Sequence, residues 1–442
     1  MTEQTQLRTR TAWLTGSAPR VRVAVVILLV VGFALRLIAT EVIAGGLEGP
    51  LIGDEPSYIE LATALAQGRG YVNEDGTPHS YRPPGVPFLI SLAYRVAEPR
   101  IAVARVFMCA VAALLIPLCY LLGSSLGGTR AGLASALVAA IFPHWLYFSG
   151  SILSDLSTAA LVGLTTWLLI EGSRRDSLPW FSAGGVAWGL AALTRPTCLA
   201  FGPALVLWML LVMPTWRRRL LAALVTCVAL AAVIAPWAVR STLIHDRTVV
   251  ASSLGGQAGV TFWLSNNPNA TGILAKDYDY FKETGSKRFS PQDYPDPTDR
   301  ANAYKADAVQ FIRENPGRFA RLCVVKLSEL WKLYSPRVPL LASLATIASL
   351  GAALPFFLIQ AVRRGWRRSP ELLMCLLIAS HSAVYMVFTA VARYRIPVEP
   401  LVLVMAAAGF FWSLDRLRSS ASRGDKSMKA GGRLSPAPGG VR

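Results

Sequence analysis

The 442-residue chain has no GxxxxGK[ST] stretch, no heptad array and no repeat of fixed period, which speaks against an ATP-driven pump, a coiled coil and a solenoid. Its four histidines are scattered, and its six cysteines, Cys109, Cys119, Cys198, Cys227, Cys323 and Cys375, fall mostly within apolar runs. They read as small core residues, not as a zinc set or a disulfide framework. Charge is sparse as well: 16% of residues are charged against 53% hydrophobic, too apolar for a soluble enzyme of this length. Acids are the scarcer sign, 26 against 44 Lys and Arg, a net charge of +18.

What is abundant is apolar sequence. A bilayer span needs about 20 such residues, and runs recur at 21–44, 101–122, 131–148, 153–170, 181–193, 198–213, 220–239, 338–362, 372–391 and 397–414. The reading is an all-α polytopic membrane protein of about ten transmembrane helices. The run 85–96 has the length of an interfacial helix. Arginines cluster before the first run, at Arg174 and Arg175, at 217–219, at 363–368 and after the last run, so every second connection is basic. That is the pattern of cytoplasmic loops, and it explains the charge as topology, not nucleic-acid binding. Both termini are then inside: a tail over 1–20, a membrane domain over 21–414, and a basic tail over 415–442 expected to be disordered. Two long loops, 45–100 and 241–337, face outward and carry short amphipathic helices. The first run is too long for a signal peptide core and is read as a retained span.

The first loop opens on Gly-Asp-Glu-Pro, with Asp54 and Glu55 directly after a span. Tyr58, Leu61, Ala62 and Leu65 recur at helical spacing behind them, so the two acids start a short amphipathic helix where backbone N–H groups favour negative charge. Capping alone would account for them, but their position lets them face a cavity between helices. In Ser-Tyr-Arg-Pro-Pro-Gly, the prolines stiffen the strap that carries Arg82, either a phosphate ligand or a headgroup anchor. Arg36 lies inside the first span and is expected to face the bundle and pair with a carboxylate. Asp155, Arg195, Arg240, Arg393, Arg395 and Glu399 all fall at outer helix ends. Together they describe a pocket with acids and arginines in reach, suited to an anionic lipid-linked substrate. In the second loop, Phe262 and Trp263 are candidates for stacking on a sugar or an apolar acceptor, and helical periodicity is interrupted at Asn315-Pro316-Gly317.

The Asp-Glu pair, "RPPG", "TRP", "PWxxR" leading to "NNPxATG", "NPGRF" and "RYRIP", in that order, resemble bacterial C-type (GT-C) glycosyltransferases of the protein O-mannosyltransferase and aminoarabinose-transferase clan, over about residues 35–414. The resemblance implies a GT-C fold and inverting transfer of a sugar from a polyprenyl-phosphate carrier to an acceptor on the outer face. In that family the first-loop aspartate, here Asp54 with Glu55 beside it, is the base or positions the acceptor. Arg82 would contact the carrier phosphate, as would Arg393 or Arg395, and Asp155 would match a second acidic position. Tyr81, Tyr394, Arg195 and Arg240 complete the expected substrate-binding set. Unlike larger members, the chain ends near ten spans without a C-terminal soluble domain, which leaves protein, lipid and glycan acceptors open.

Such a transfer needs no nucleotide, because the carrier phosphate is itself the leaving group. It needs a carboxylate to take the acceptor proton and cations to neutralise the departing phosphate. A divalent cation (magnesium, manganese or calcium) held by Asp54, Glu55 or Asp155 is a further expectation from oxygen-ligand chemistry. The expected setting is a bacterial inner membrane with the site on the extracytoplasmic side. A transporter or flippase for a lipid-linked or anionic substrate is the alternative, although no paired half-repeats with broken midplane helices are seen.

Overall fold

The structure, a computed structural model, describes residues 19–43, 45–79, 82–245, 258–294, 297–334, 340–366 and 369–431. Among them every regular element is helical, apart from an isolated bridge between Val72 and Pro78. The expected N-terminal tail and Tyr81 lie outside the described residues.

Helix α1 (Pro19–Ile43) turns Val23, Val26, Ile27 and Val30 outward and buries Gly32, Arg36 and Thr40. This is the inverse of a soluble helix: apolar chains meet lipid, and small or polar residues at a four-residue interval meet protein. At Gly32 a Cβ would meet the tip of Ile116 and come within 3.3 Å of the Ala140 backbone, so the close approach leaves little room for a larger residue. Arg36 was expected to meet a carboxylate and does not. Its guanidinium donates to the carbonyls of Gly32 at 2.8 Å, Ala139 at 2.9 Å and Ala140 at 3.4 Å. Carbonyls near a helix C-terminus lack intrahelical partners and carry partial negative charge, which suits an arginine.

After the first polar loop, with α2 (Glu55–Ala66) and α3 (Gly85–Tyr94), come α4 (Ile101–Ala113) and α5 (Leu115–Ile141). Helix α5 is a hairpin. Gly128 has φ +75°, and a Cβ on Gly123 would lie 2.4 Å from Ser135 Oγ. In a straight helix those residues would stand about 18 Å apart. The apolar stretch from 101 to 141 therefore doubles back on itself near Gly128, between the runs 101–122 and 131–148. Next come α6 (Pro143–Phe148), α7 (Ser154–Arg175), α8 (Leu178–Thr194), a 3₁₀ turn (Pro196–Phe201), α9 (Gly202–Val212) and α10 (Trp216–His245). Seven helical stretches among the described residues have the length and apolarity to cross a membrane. The runs 181–193 and 198–213 became helices too short to be among them.

The second polar loop folds as a module of α11 (Ala258–Leu264), α12 (Leu274–Glu283), α13 (Pro297–Glu314) and α14 (Pro316–Trp331), broken where the Asn-Pro-Gly predicts. Trp263 is only 2% exposed and packs on Tyr304, Phe281 and Tyr280, donating its indole N–H to Asp307. It is the core of this module and not the sugar platform expected of it. Lys326 of α14 is fully buried, its ammonium bonded to Asn266 Oδ1 at 2.9 Å and to the Val387 carbonyl at 3.1 Å. Loss of solvent brings that amine down to about 8. The Val387 carbonyl ends α16 (Pro370–Val387), which follows α15 (Leu340–Arg364). After a 3₁₀ segment (Ala392–Val398), α17 runs over Glu399–Gly431. The start of the basic tail is thus helical, contrary to the disorder expected from 415 onward; residues 432–442 lie outside the described set.

Candidate active site

A cavity of about 810 Å³ opens where the first loop meets α6, the start of α7 and the 3₁₀ segment 392–398. Asp54, Glu55, Arg105, His144, Arg393 and Arg395 all reach its wall.

Asp54 precedes the first turn of α2, with its carboxylate side chain 43% exposed and 2.8 Å from Arg82. The proline strap holds Arg82 in place. Tyr71 donates its hydroxyl to the carbonyls of Arg82 and Pro83 at 3.0 and 3.1 Å, and the Arg82 amide donates to His79 Nε2 at 2.9 Å. Accepting that bond leaves the proton of the imidazole on Nδ1, 2.6 Å from Asn73 Oδ1. Desolvation, aided by the Arg82 and Arg240 charges, lowers the imidazole to about 4.

Glu55 has a different task from Asp54. It is 1% exposed and accepts the backbone amides of Ile52 at 3.1 Å and Ile152 at 2.9 Å. Arg105, 3.8 Å away, balances its charge while donating to the carbonyls of Gly46, Leu47 and Pro50. The pair fastens the start of the first loop to the approach to α7. Its carboxylate oxygens are engaged, so the expected catalytic role fits Asp54 and not Glu55.

Asp155, in the first turn of α7, joins two arginines: Arg195 at 2.8 Å and Arg393 at 3.4 Å. Tyr394 carries both guanidinium groups against its ring, at 5.3 and 5.5 Å. Arg195 Nη1 is buried and has no hydrogen-bond partner among the described residues, and Arg393 Nε faces Asp155 Oδ2 at 3.4 Å without a hydrogen bond. A buried, unpartnered donor on Arg195 beside a second guanidinium that reaches the cavity wall is an arrangement suited to an anion.

Arg395 is committed elsewhere. It is buried, 2.7 Å from Glu399 through Nε, and donates to the carbonyls of Leu330 and Lys332. Of the two arginines left open for phosphate contact, Arg393 is the available one. Arg240 lies outside the cavity wall: it donates to the carbonyls of His79 at 3.1 Å and Tyr71 at 2.7 Å and stacks on Trp237, tying the first loop to α10. The structure therefore brings Asp54, Arg393 and Tyr394 to the cavity wall, with Arg82 joined to Asp54 and Asp155 and Arg195 joined to Arg393 through ion pairs, whereas Glu55, Arg240 and Arg395 are taken up by contacts within the protein.

Among the described residues no three His, Cys, Asp or Glu side chains converge as a metal cluster. The acids expected as ligands are spread over three sets of partners: Asp54 with Arg82, Glu55 with two amides and Arg105, Asp155 with two arginines. This arrangement does not fit the expected divalent ion, and no step below passes through one.

His144 was not read from the sequence. It stands on α6 with Nδ1 at 2.8 and 3.1 Å from the two Glu399 oxygens, and Trp145 donates to the same carboxylate at 2.8 Å. The only local signal was the four-residue spacing of Arg395 and Glu399; the partner across the fold is 255 positions away.

Residues 81–239, a little over a third of the chain, match the family model described as dolichyl-phosphate-mannose-protein mannosyltransferase. No curated protein sequence matches the chain. Among solved structures, the archaeal oligosaccharyltransferase AglB from Archaeoglobus fulgidus, in complex with an inhibitory peptide and a dolichol-phosphate, is similar with a TM-score of 0.59 and 15% identity, over 95% of this chain and 53% of that one. A complex of the Archaeoglobus fulgidus oligosaccharyltransferase with Zn and sulfate gives 0.56 and 17%, over 89% and 49%. ArnT from Cupriavidus metallidurans bound to undecaprenyl phosphate aligns over 93% of this chain and 81% of that one, at 15% identity and a TM-score of 0.43. The chain spans about half the length of the oligosaccharyltransferases it resembles. At such identities the likeness is one of architecture: this is a multi-pass membrane protein with a GT-C-type helical fold.

Proposed function

We propose that the protein is a glycosyltransferase, hexosyl or pentosyl, that moves a sugar from a polyprenyl-phosphate carrier to an acceptor hydroxyl on the extracytoplasmic face of a bacterial inner membrane, with inversion. The observation that carries this reading is the pair of arginines at Asp155, one with a buried N–H donor left unpartnered and the other on the cavity wall. Arg195 and Arg393 would take the carrier phosphate, and Tyr394 holds both in place. Asp54, on the cavity wall and partly exposed, would receive the acceptor proton. As the acceptor oxygen bonds to the anomeric carbon, the bond to the phosphate oxygen breaks and its electron pair leaves with the phosphate, where the guanidinium groups neutralise it. The dolichol-phosphate held by an archaeal enzyme of like fold, and the family-model match, support a lipid phosphate as the donor.

The test is release of sugar from radiolabelled polyprenyl-phosphate mannose, glucose and arabinose by purified protein in detergent with membrane lysate as acceptor. Release by the wild type and a loss of at least about 100-fold in Asp54→Asn is the expected result. Carrier binding without turnover on any donor would favour a transporter or flippase, and unchanged turnover in Asp54→Asn would remove it from the chemistry.

A further inference from the structure

The cavity has a second polar group, which the transfer chemistry above does not use. His144 is 8% exposed, on the cavity wall, with Nδ1 against both oxygens of Glu399. An ionised carboxylate only accepts, and Glu399 is paired with Arg395 at 2.7 Å, so in the neutral imidazole the proton sits on Nδ1 and Nε2 keeps its lone pair. Among the described residues no hydrogen bond reaches Nε2, and it is absent from the fully enclosed unpartnered atoms. A nitrogen acceptor in a fixed orientation therefore faces the cavity. Tyr147, one turn further along α6, lines the same wall.

The 3₁₀ segment 392–398 sets the location. Arg393 turns to Asp155 and Arg395, two residues on, turns to the Glu399 and His144 cluster. Two residues span at most about 7 Å of chain, so the anion site and the His144 group are neighbours. A sugar bonded to a phosphate at Arg393 is held beside His144. A group that accepts hydrogen bonds and cannot donate from Nε2 selects hydroxyls, the groups a sugar has in excess.

We propose that His144 and Tyr147 form the sugar subsite of the donor, with His144 Nε2 accepting from a sugar hydroxyl and Glu399 fixing the imidazole for it. The proposal rests on the lipid-phosphate reading above and adds the part of the cavity that tells the sugar-bearing carrier from the bare one. The experiment measures affinity of the purified protein for bare polyprenyl phosphate and for polyprenyl-phosphate mannose, glucose and arabinose, in wild type, His144→Phe and Tyr147→Phe. The wild type is expected to prefer one glycosylated carrier over the bare one. Each variant should weaken that carrier about tenfold, the scale of one lost hydrogen bond, and leave bare carrier unchanged. Tyr147→Phe removes a single oxygen and keeps the test open if His144→Phe does not fold. No preference in the wild type, an equal loss for both carriers, or no loss in a folded variant would overturn the subsite. Because binding is read without turnover, a protein that prefers the glycosylated carrier but releases no sugar would refute the transferase reading and leave this one standing.

Discussion

Side chains adjacent in sequence do different work here. Asp54 and Glu55 are one motif to the eye, yet Asp54 stays partly exposed at the cavity while Glu55 binds an amide 97 positions away. Sequence shows that two acids begin a helix; it does not show which way each points, because that depends on where α7 starts. The same holds for Arg393 and Arg395, which alternate between an open anion site and a closed structural one. The expected outcome of Glu55→Gln is accordingly a loss of stability, since Arg105 would keep a buried charge without its counter-charge. That costs ~3 kcal/mol, read as a lower thermal unfolding midpoint in detergent, with residual folded protein retaining turnover. Normal stability with abolished turnover would return Glu55 to the chemistry.

At the scale of elements, periodicity was most informative where one face is polar: α2, α13 and the Asn-Pro-Gly break appear where the pattern places them. The hairpin of α5 was legible as two runs, but its turn needed the positive φ of Gly128. The strap 71–85 is the element whose behaviour depends on pH. His79 must be neutral at Nε2 to accept the Arg82 amide, and its folded value of about 4 lies below the ordinary 6.5. An imidazole freed from the strap takes up its proton first, so the stabilisation is complete above about 6.5 and is lost as pH falls towards about 4. Hydrogen exchange of residues 71–85 should therefore accelerate between pH 7 and pH 5 beyond the intrinsic chemical rate, and His79→Gln should flatten that dependence. Equal protection at both pH values would show that the strap does not depend on the imidazole.

For the whole molecule, the alternation of basic and polar connections was the strongest topological signal, and the proposed topology that follows from it has both long loops on the outer side. In a background lacking the native cysteines, an Asp75→Cys probe should react with a membrane-impermeant maleimide from outside intact cells, and an Arg217→Cys probe only after permeabilisation; both positions are exposed. The opposite labelling would invert the molecule and move the site to the cytoplasmic face. The cavity chemistry was less legible than the topology. Its walls come from the first loop, α4, α6, the turn ahead of α7, α15 and the 3₁₀ segment, and no single stretch of sequence contains more than a fragment of it.

The cavity acids sit at rest against arginines, Asp54 with Arg82 and Asp155 with Arg195 and Arg393. The resting site is in this sense internally engaged: a carboxylate oxygen already held by a guanidinium must be released before it can meet an acceptor hydroxyl. A phosphate entering among the arginines competes with those acids for the same N–H groups and loosens their hold. On the transfer reading, a carrier phosphate that also reaches Arg82 releases Asp54 to meet the acceptor hydroxyl. The kinetic signature is an ordered mechanism with the donor-carrier binding first; product-inhibition patterns indicating random order would contradict it.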